Sequence, residues 1–402
     1  MTLASLRLLG AAAVILLPLP SLLGAQETPQ LTFGAQVRPR MESRTPVQES
    51  RDVFTSMRVR ASLAAQLEGG VKVFVQLQDV RLFGEALHTL LDYRADGFDL
   101  HQGYLELEST PLIGGSLRVG RQEIALGEQR LVGAVDWAQQ GRSFDGARYT
   151  SPDLGGVTLD LLAAKLQEST SPNHPFDGEF FGAWANVGLG GAGTLDAWTL
   201  LVTHSSPAGT EEVTLGALWR ASAGPLDFRL EGSAQTGTRG GADVSAYMVG
   251  ARAGGRLADH ATLTFWYDHL SGDDDPADGR VRVFNTLFAT NHAFYGLADY
   301  FTDIPAHTGG LGLQDAAVKL ALAPSPRTAF NVDLHHFRTA RPGSLSTRHL
   351  ANELDLTLTH RLAPAFTVIS GYSFVQAKDG IKELGRLADN AHWAFVMLNA
   401  SF

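Results

Sequence analysis

Between Val119 and Thr150 the chain sets four arginines, Arg121, Arg130, Arg142 and Arg148, among four acids, Glu123, Glu128, Asp136 and Asp145, and uses no lysine. The chemistry these residues offer is recognition and charge pairing, not bond breaking. A planar guanidinium makes two parallel hydrogen bonds to a carboxylate in a fixed fork that an ammonium does not reproduce. Arginine-only usage therefore points to a polar interior that holds such pairs. The competing interpretation is an ordinary surface salt-bridge cluster, which contributes little to stability.

Other residue groups carry weaker chemistry. Asp273-Asp274-Asp275-Pro276-Ala277-Asp278-Gly279 gathers carboxylates in a turn, as a calcium loop does. Counting from Asp274, however, puts Pro276 at a ligand position and Asn285 where a bidentate Glu is required, so this turn reads as a solvated loop tip. The thirteen histidines are scattered, and the adjacent His335 and His336 project to opposite faces of a strand and cannot share an ion. No Gly-x-Ser-x-Gly elbow or comparable nucleophile context occurs. The expectation is a protein that is not an enzyme, with no catalytic residue, no metal site and no cofactor.

The elements that must position the arginine-rich stretch are strands. Period-two alternation recurs along the chain, and no 3.6-residue apolar period persists for three turns. It predicts strands over 30–40, 53–67, 71–80, 98–109, 115–125, 143–150, 156–166, 178–189, 194–204, 211–221, 225–236, 243–255, 260–270, 313–323, 327–338, 347–361, 366–376 and 391–402, eighteen in all. In Leu226–Gln235, Leu226, Phe228 and Leu230 oppose Asp227, Arg229, Glu231 and Ser233. In Ala351–Arg361, Leu354, Leu356 and Leu358 oppose Glu353, Asp355 and Arg361. A soluble sandwich with one wet face shows the same alternation.

The connections distinguish the two architectures. Every second one is short and rich in Gly or Pro, as at Glu68-Gly69-Gly70, Thr110-Pro111, Gly190-Gly191-Ala192-Gly193, Ala223-Gly224 and Pro324-Ser325-Pro326. The intervening ones, among them 41–52, 81–97, 126–142, 271–312 and 377–390, are mostly longer and polar. Short turns on one side and long loops on the other describe a transmembrane antiparallel β-barrel of the outer membrane, with the short side periplasmic. An even strand count puts both ends of residues 26–402 on that short-turn side. A barrel of this size encloses an aqueous channel.

The address agrees. Arg7, the apolar run Leu8–Leu19 and the small residues before Gln26 have the parts of a secretory signal, so residues 1–25 are expected to be a signal peptide and 26–402 the barrel. No later segment approaches the ~20 apolar residues of a spanning helix. With no cysteine, neither disulfides nor a lipidated cleavage-site Cys enter the argument. Charged residues are 18% of the chain, below the level usual in soluble domains, and the net charge of −10 argues against a nucleic-acid partner. The last strand alternates Ala394, Val396, Leu398, Ala400 and Phe402 on one face. It resembles the terminal strand by which the barrel-assembly machinery recognises outer-membrane barrels.

With these residues in view, GRQEIALGEQRLVG at 120–133, Asp136-Trp137 and GRSFDGAR at 141–148 resemble the signature of the alginate export family. A second block, Ser271–Pro276 with Phe284–Phe288 and Asn291–Gly296, is similar to another stretch of that family. The resemblance implies an eighteen-stranded outer-membrane barrel in a Gram-negative-type envelope, embedded in outer-membrane lipid and passing an anionic polysaccharide such as alginate. It also implies that Arg121, Glu123, Arg130, Asp136, Arg142, Asp145 and Arg148 face the lumen or brace the loop that narrows it, as the substrate-binding positions. Four arginines matched by four acids do not by themselves make an electropositive filter. A passive channel for a polymeric or oligomeric saccharide therefore stands beside a porin for small solutes, and beside a plugged structural or enzymatic barrel.

Overall fold

The computed structural model describes residues 29–45, 52–84, 97–169 and 176–402; the segment 1–25, expected to be a signal peptide, lies outside the described residues. The strands are β1 (Gln30–Arg44), β2 (Asp52–Leu67), β3 (Val71–Leu82), β4 (Phe98–Leu107), β5 (Ser116–Gln122), β6 (Phe144–Thr150) and β7 (Val157–Gln167). They continue as β8 (Gly178–Gly188), β9 (Thr194–His204), β10 (Thr210–Ala223), β11 (Leu226–Arg239), β12 (Ala242–Ala258) and β13 (Ala261–Leu270). After the two-residue β14 (Arg280–Val281) come β15 (Leu313–Ser325), β16 (Thr328–Thr339), β17 (His349–Ala363), β18 (Phe366–Ala377) and β19 (Ala391–Ser401). β14 lies inside a loop and pairs in parallel with β12, while the other eighteen of the nineteen strands form one closed antiparallel barrel.

Closure joins β1 to β19, with Gln36 opposite Ser401 and Arg44 opposite Trp393. At the seam the Ala35 N–H donates to the Phe402 carbonyl at 2.9 Å, and the Phe402 N–H returns a bond to Ala35 at 3.0 Å. A closed barrel leaves no strand edge unpaired, which is the condition for a sheet to stand in hydrocarbon.

The sorting of side chains is inverted relative to a soluble protein. On β11, Leu226, Phe228 and Leu230 are exposed on the outer surface, whereas Arg229, Glu231, Ser233 and Gln235 are buried inside. Arg58 is among the largest fully buried side chains. Outward apolar positions meet lipid tails and inward polar positions meet the lumen, so the alternation in the sequence is the alternation of solvents.

The two ends differ as the sequence predicts, with two exceptions. At the short-turn end β2 and β3 join through Glu68–Gly70, and at the other end loops 123–143 and 271–312 are long. The exceptions at the long-loop end are 205–209 and 240–241, which are tight turns.

Loops 123–143 and 271–312 fold inward and carry an apolar core of their own. Ile124, Leu131 and Val132 from the first, and Phe284, Phe294 and Phe301 from the second, pack with Leu200, Leu270 and Leu313 of the wall. Strands β7 to β10, β12 and β13 thus present apolar residues to the interior as well, because loops and not water cover that part of the wall. Each fully buried side chain of this kind contributes roughly 1.5–3 kcal/mol by leaving water.

Candidate functional site

Loop 123–143 leaves β5, crosses the interior and returns on β6. Its backbone is tied to loop 271–312 as a strand is tied to a sheet: Phe288 N–H donates to Leu131 at 2.8 Å, Gly133 N–H to Phe288 at 2.9 Å and Thr290 N–H to Gln129 at 2.9 Å. Arg142 reinforces the join by donating to the carbonyls of Gly133, Phe288 and Ala289. Loop 271–312 is itself held to the wall, where the Ala298 N–H donates to Glu353 at 2.8 Å and the Leu297 N–H to Asp355 at 3.3 Å. Gly296 makes that approach possible, since with φ at +80° a Cβ there would run into the Glu353 carboxylate.

One group of charges lies where the first loop meets β1 and β2. Arg38 stands opposite Arg58 in the register, and two like charges directly opposite repel. Asp136 resolves the repulsion: its carboxylate accepts from Arg58 at 2.8 Å and from Arg38 at 3.2 Å, with Arg60 at 3.8 Å. Glu123 accepts from Arg60 at 3.2 Å and lies 2.6 Å from His101. Arg40 and Arg44 share Glu42, at 2.8 and 2.7 Å. Gly141, at φ +66°, passes so near that a Cβ would stand 2.8 Å from the Arg60 guanidinium. Five arginines are thus ion-paired to three carboxylates, a difference of two positive charges. The side chains of Arg38, Arg40, Arg58 and Arg60 are almost covered and that of Arg44 is 43% exposed, while Asp136 is 65% exposed toward the lumen. Burial alone would raise the Asp136 carboxyl, yet Arg58 and then Arg38 outweigh it and hold the group below the usual carboxylate range.

A second group lies across the barrel. The register places Arg220, Arg229 and Arg252 side by side on β10, β11 and β12. The loop tip supplies Glu128, whose carboxylate is 2.7 Å from Arg252 and 2.8 Å from Arg229. Asp196 takes Arg220 at 2.9 Å. Arg130, buried, pairs with Asp268 and, at 3.2 Å, with Glu231, and its guanidinium lies over the Phe294 ring. Here four arginines, Arg130, Arg220, Arg229 and Arg252, meet four acids, Glu128, Asp196, Glu231 and Asp268. Below them a cavity of about 700 Å³ is lined by Glu128, Arg220, Arg229 and Arg252 and by Gly190 and Gly193 of the β8–β9 turn.

The seven positions singled out in the sequence therefore part company. Glu123 and Asp136 join the β1–β2 group, Arg130 joins the β10–β13 group, and Arg142 ties the loops. Arg148 faces inward on β6 and pairs with Asp160 at 2.8 Å. Arg121 and Asp145 pair with each other at 2.8 Å on the strand face shared with Val119 and Ala147, opposite to that of Arg118 and Arg148. Arg38, Arg40, Arg58 and Arg60 lie outside the 119–150 stretch and complete the site from the wall. Their signal was present in Arg38-Pro39-Arg40 and Arg58-Val59-Arg60, where two arginines two apart on a strand share a face.

A polar interior lined by arginine, narrowed by an inward loop that carries the 120–148 signature, is the arrangement that the sequence resemblance implied. The sequence matches the alginate export family over residues 29–395. The chain belongs to the alginate export family. No curated protein matches its sequence. Among solved structures, the fold of this family member is similar to that of Pseudomonas aeruginosa OpdO, with 16% identity, a TM-score of 0.65, and 93% of this chain and 97% of that one covered. OpdL of the same organism is similar at 13% identity and a TM-score of 0.63, covering 93% of this chain and 99% of that one. A third, P. aeruginosa OccK2 (OpdF) in complex with glucuronate, has 12% identity and a TM-score of 0.59, with 93% and 98% covered. This alginate export family barrel is an outer-membrane channel of a Gram-negative envelope.

Proposed function

We propose that the channel conducts an acidic saccharide, polymeric or oligomeric, past the arginines of β1 and β2. The observation that carries this reading is the excess of five arginines over three carboxylates where loop 123–143 meets that wall. In a narrow lumen of low dielectric each uncompensated charge acts more strongly than in water, so a carboxylate-bearing sugar is favoured over a neutral one. Membership of the alginate export family, and a similar barrel solved with glucuronate, support the same substrate chemistry. In this reading Glu123 and Asp136 are the loop carboxylates that temper the arginines, while Arg130 and Arg142 fix the loop. The terminal strand ending in Phe402 is the segment presented to the assembly machinery.

The test is single-channel conductance in planar bilayers. Oligouronate added to the bath should block the current at lower concentration than a neutral oligosaccharide of equal length. Equal block by both would leave a general small-solute porin, and absence of conductance would leave a plugged barrel.

A further inference from the structure

The outer surface of the barrel at the long-loop end carries a second basic feature that the channel does not use. On β13, β15 and β16 the register aligns His269, Gln314 and Arg338 in one outward row, and Arg338 stands opposite His349 of β17. Arg348 is fixed beside the row, donating to Gln314 at 2.9 Å and to the Thr339 carbonyl at 2.7 Å. Burial first, and then the neighbouring Arg338 and Arg341, lower its proton affinity. Arg338 and Arg341 are both exposed. Among the described residues, neither makes a side-chain hydrogen bond or an ion pair. Two other bases at the long-loop end are neutralised: Arg121 has Asp145, and Lys165 has Asp177, Glu168 and Glu179.

Directly toward the membrane from this row lie Phe265, Tyr267 and Leu334, exposed and apolar or amphipathic. The site is thus a set of uncompensated guanidinium groups above a lipid-facing band. In outer-membrane barrels the long-loop end is the external one. From this juxtaposition we infer that Arg338, Arg341 and Arg348 bind the phosphate groups of an anionic glycolipid of the outer leaflet, with its acyl chains lying along Phe265, Tyr267 and Leu334. Guanidinium forks match phosphate oxygens in pairs, and the outward aspect of the site excludes a solute travelling through the lumen. A lipid is the occupant because the anion partner must sit where tails have a surface to cover.

The probe is purified bisphosphorylated lipid A in detergent micelles, offered to the immobilised full chain, with its dephosphorylated form as comparison. The wild type should retain the phosphorylated lipid preferentially. Removing two surface charges in Arg338→Gln/Arg341→Gln should weaken retention about thirtyfold at low salt, given the typical contribution of each basic residue near a charged membrane surface. The pair Arg327→Gln/Arg361→Gln, at the short-turn end, should leave retention unchanged. Heat-modifiable gel migration confirms that each variant is folded; if the double variant fails it, Arg341→Gln alone, in a loop, gives the same comparison. Equal retention of dephosphorylated lipid, or undiminished retention by a folded double variant, would overturn the assignment. So would full displacement by millimolar inorganic phosphate, which would make the site one for free anions.

Discussion

The two walls that loop 123–143 touches use the same residues to opposite ends. At β10–β13 four arginines meet four acids and the group is neutral, whereas at β1–β2 five arginines meet three acids and positive charge is left over. The first arrangement fastens the loop; the second sets the potential that a passing solute meets. The count of carboxylates, not of arginines, separates a fastening from a filter. A fully paired arginine inside a barrel contributes position, and one in excess contributes selectivity.

The sharpest way to break this comparison is at the fastening. Arg130→Ala leaves Asp268 buried without its ion-pair partner and Glu231 with Arg229 alone, and breaking a buried pair typically costs about 3–5 kcal/mol. The loop should detach, and single-channel conductance should rise and become noisy while the barrel still migrates as heat-modifiable. A quiet channel of unchanged conductance would show that the backbone ladder alone holds the loop.

The next largest effect is expected at the filter. Asp136→Asn removes the carboxylate shared by Arg38 and Arg58, so reversal potential in a salt gradient should shift toward anion selectivity. Arg58→Ala should shift it the other way. Like shifts in both variants would mean that Asp136 and Arg58 do not act on one path.

A smaller, reversible version of the Asp136 change comes from pH. Its folded value lies below the ordinary 3.8, so its contribution to holding the loop is complete above that value and is lost as pH falls through the folded one. Selectivity should therefore stay level from neutrality down to about pH 4 and become more anionic only below it. A change centred near pH 6 would point to a histidine instead.

The least effect is expected from Arg121→Ala. This side chain pairs with Asp145 on the outer strand face, so stability should change by no more than ~0.5 kcal/mol and selectivity not at all. A selectivity shift as large as that of Arg58→Ala would place Arg121 in the ion path.

The barrel was legible because two-residue periodicity has one meaning in each solvent, and residues such as Leu226, Phe228 and Leu230 carry it without help from distant segments. Strand ends fell within a few residues: the largest displacement was at β1, which runs on to Arg44 instead of ending at 40, and β5 stops at Gln122 where the loop turns inward. The site was legible only in part. Asp136 and Arg130 were found because they stand in one stretch, but their partners Arg58 and Asp268 lie 78 and 138 residues away (136 − 58 and 268 − 130). Face assignment also failed to travel across the loop: Arg121 and Arg148 share the motif, but they stand on opposite faces because Arg148 sits opposite Arg118 in the register and Arg121 lies an odd number of positions further along that strand.

The ladder between loops 123–143 and 271–312 has a consequence for the order in which the molecule is made. Phe288 accepts from an arginine 146 residues earlier in the chain. The first of the two loops is therefore translated and delivered long before its partner exists. Contacts of such sequence separation form late, because the closure entropy of the intervening chain must be met first. Narrowing of the lumen therefore waits on strands β13 and β15, which carry the second loop into place, while the seam between β1 and β19 joins residues farther apart still. Until then the nascent barrel is wide, with Leu131 and Val132 of the waiting loop still uncovered by the loop that packs on them.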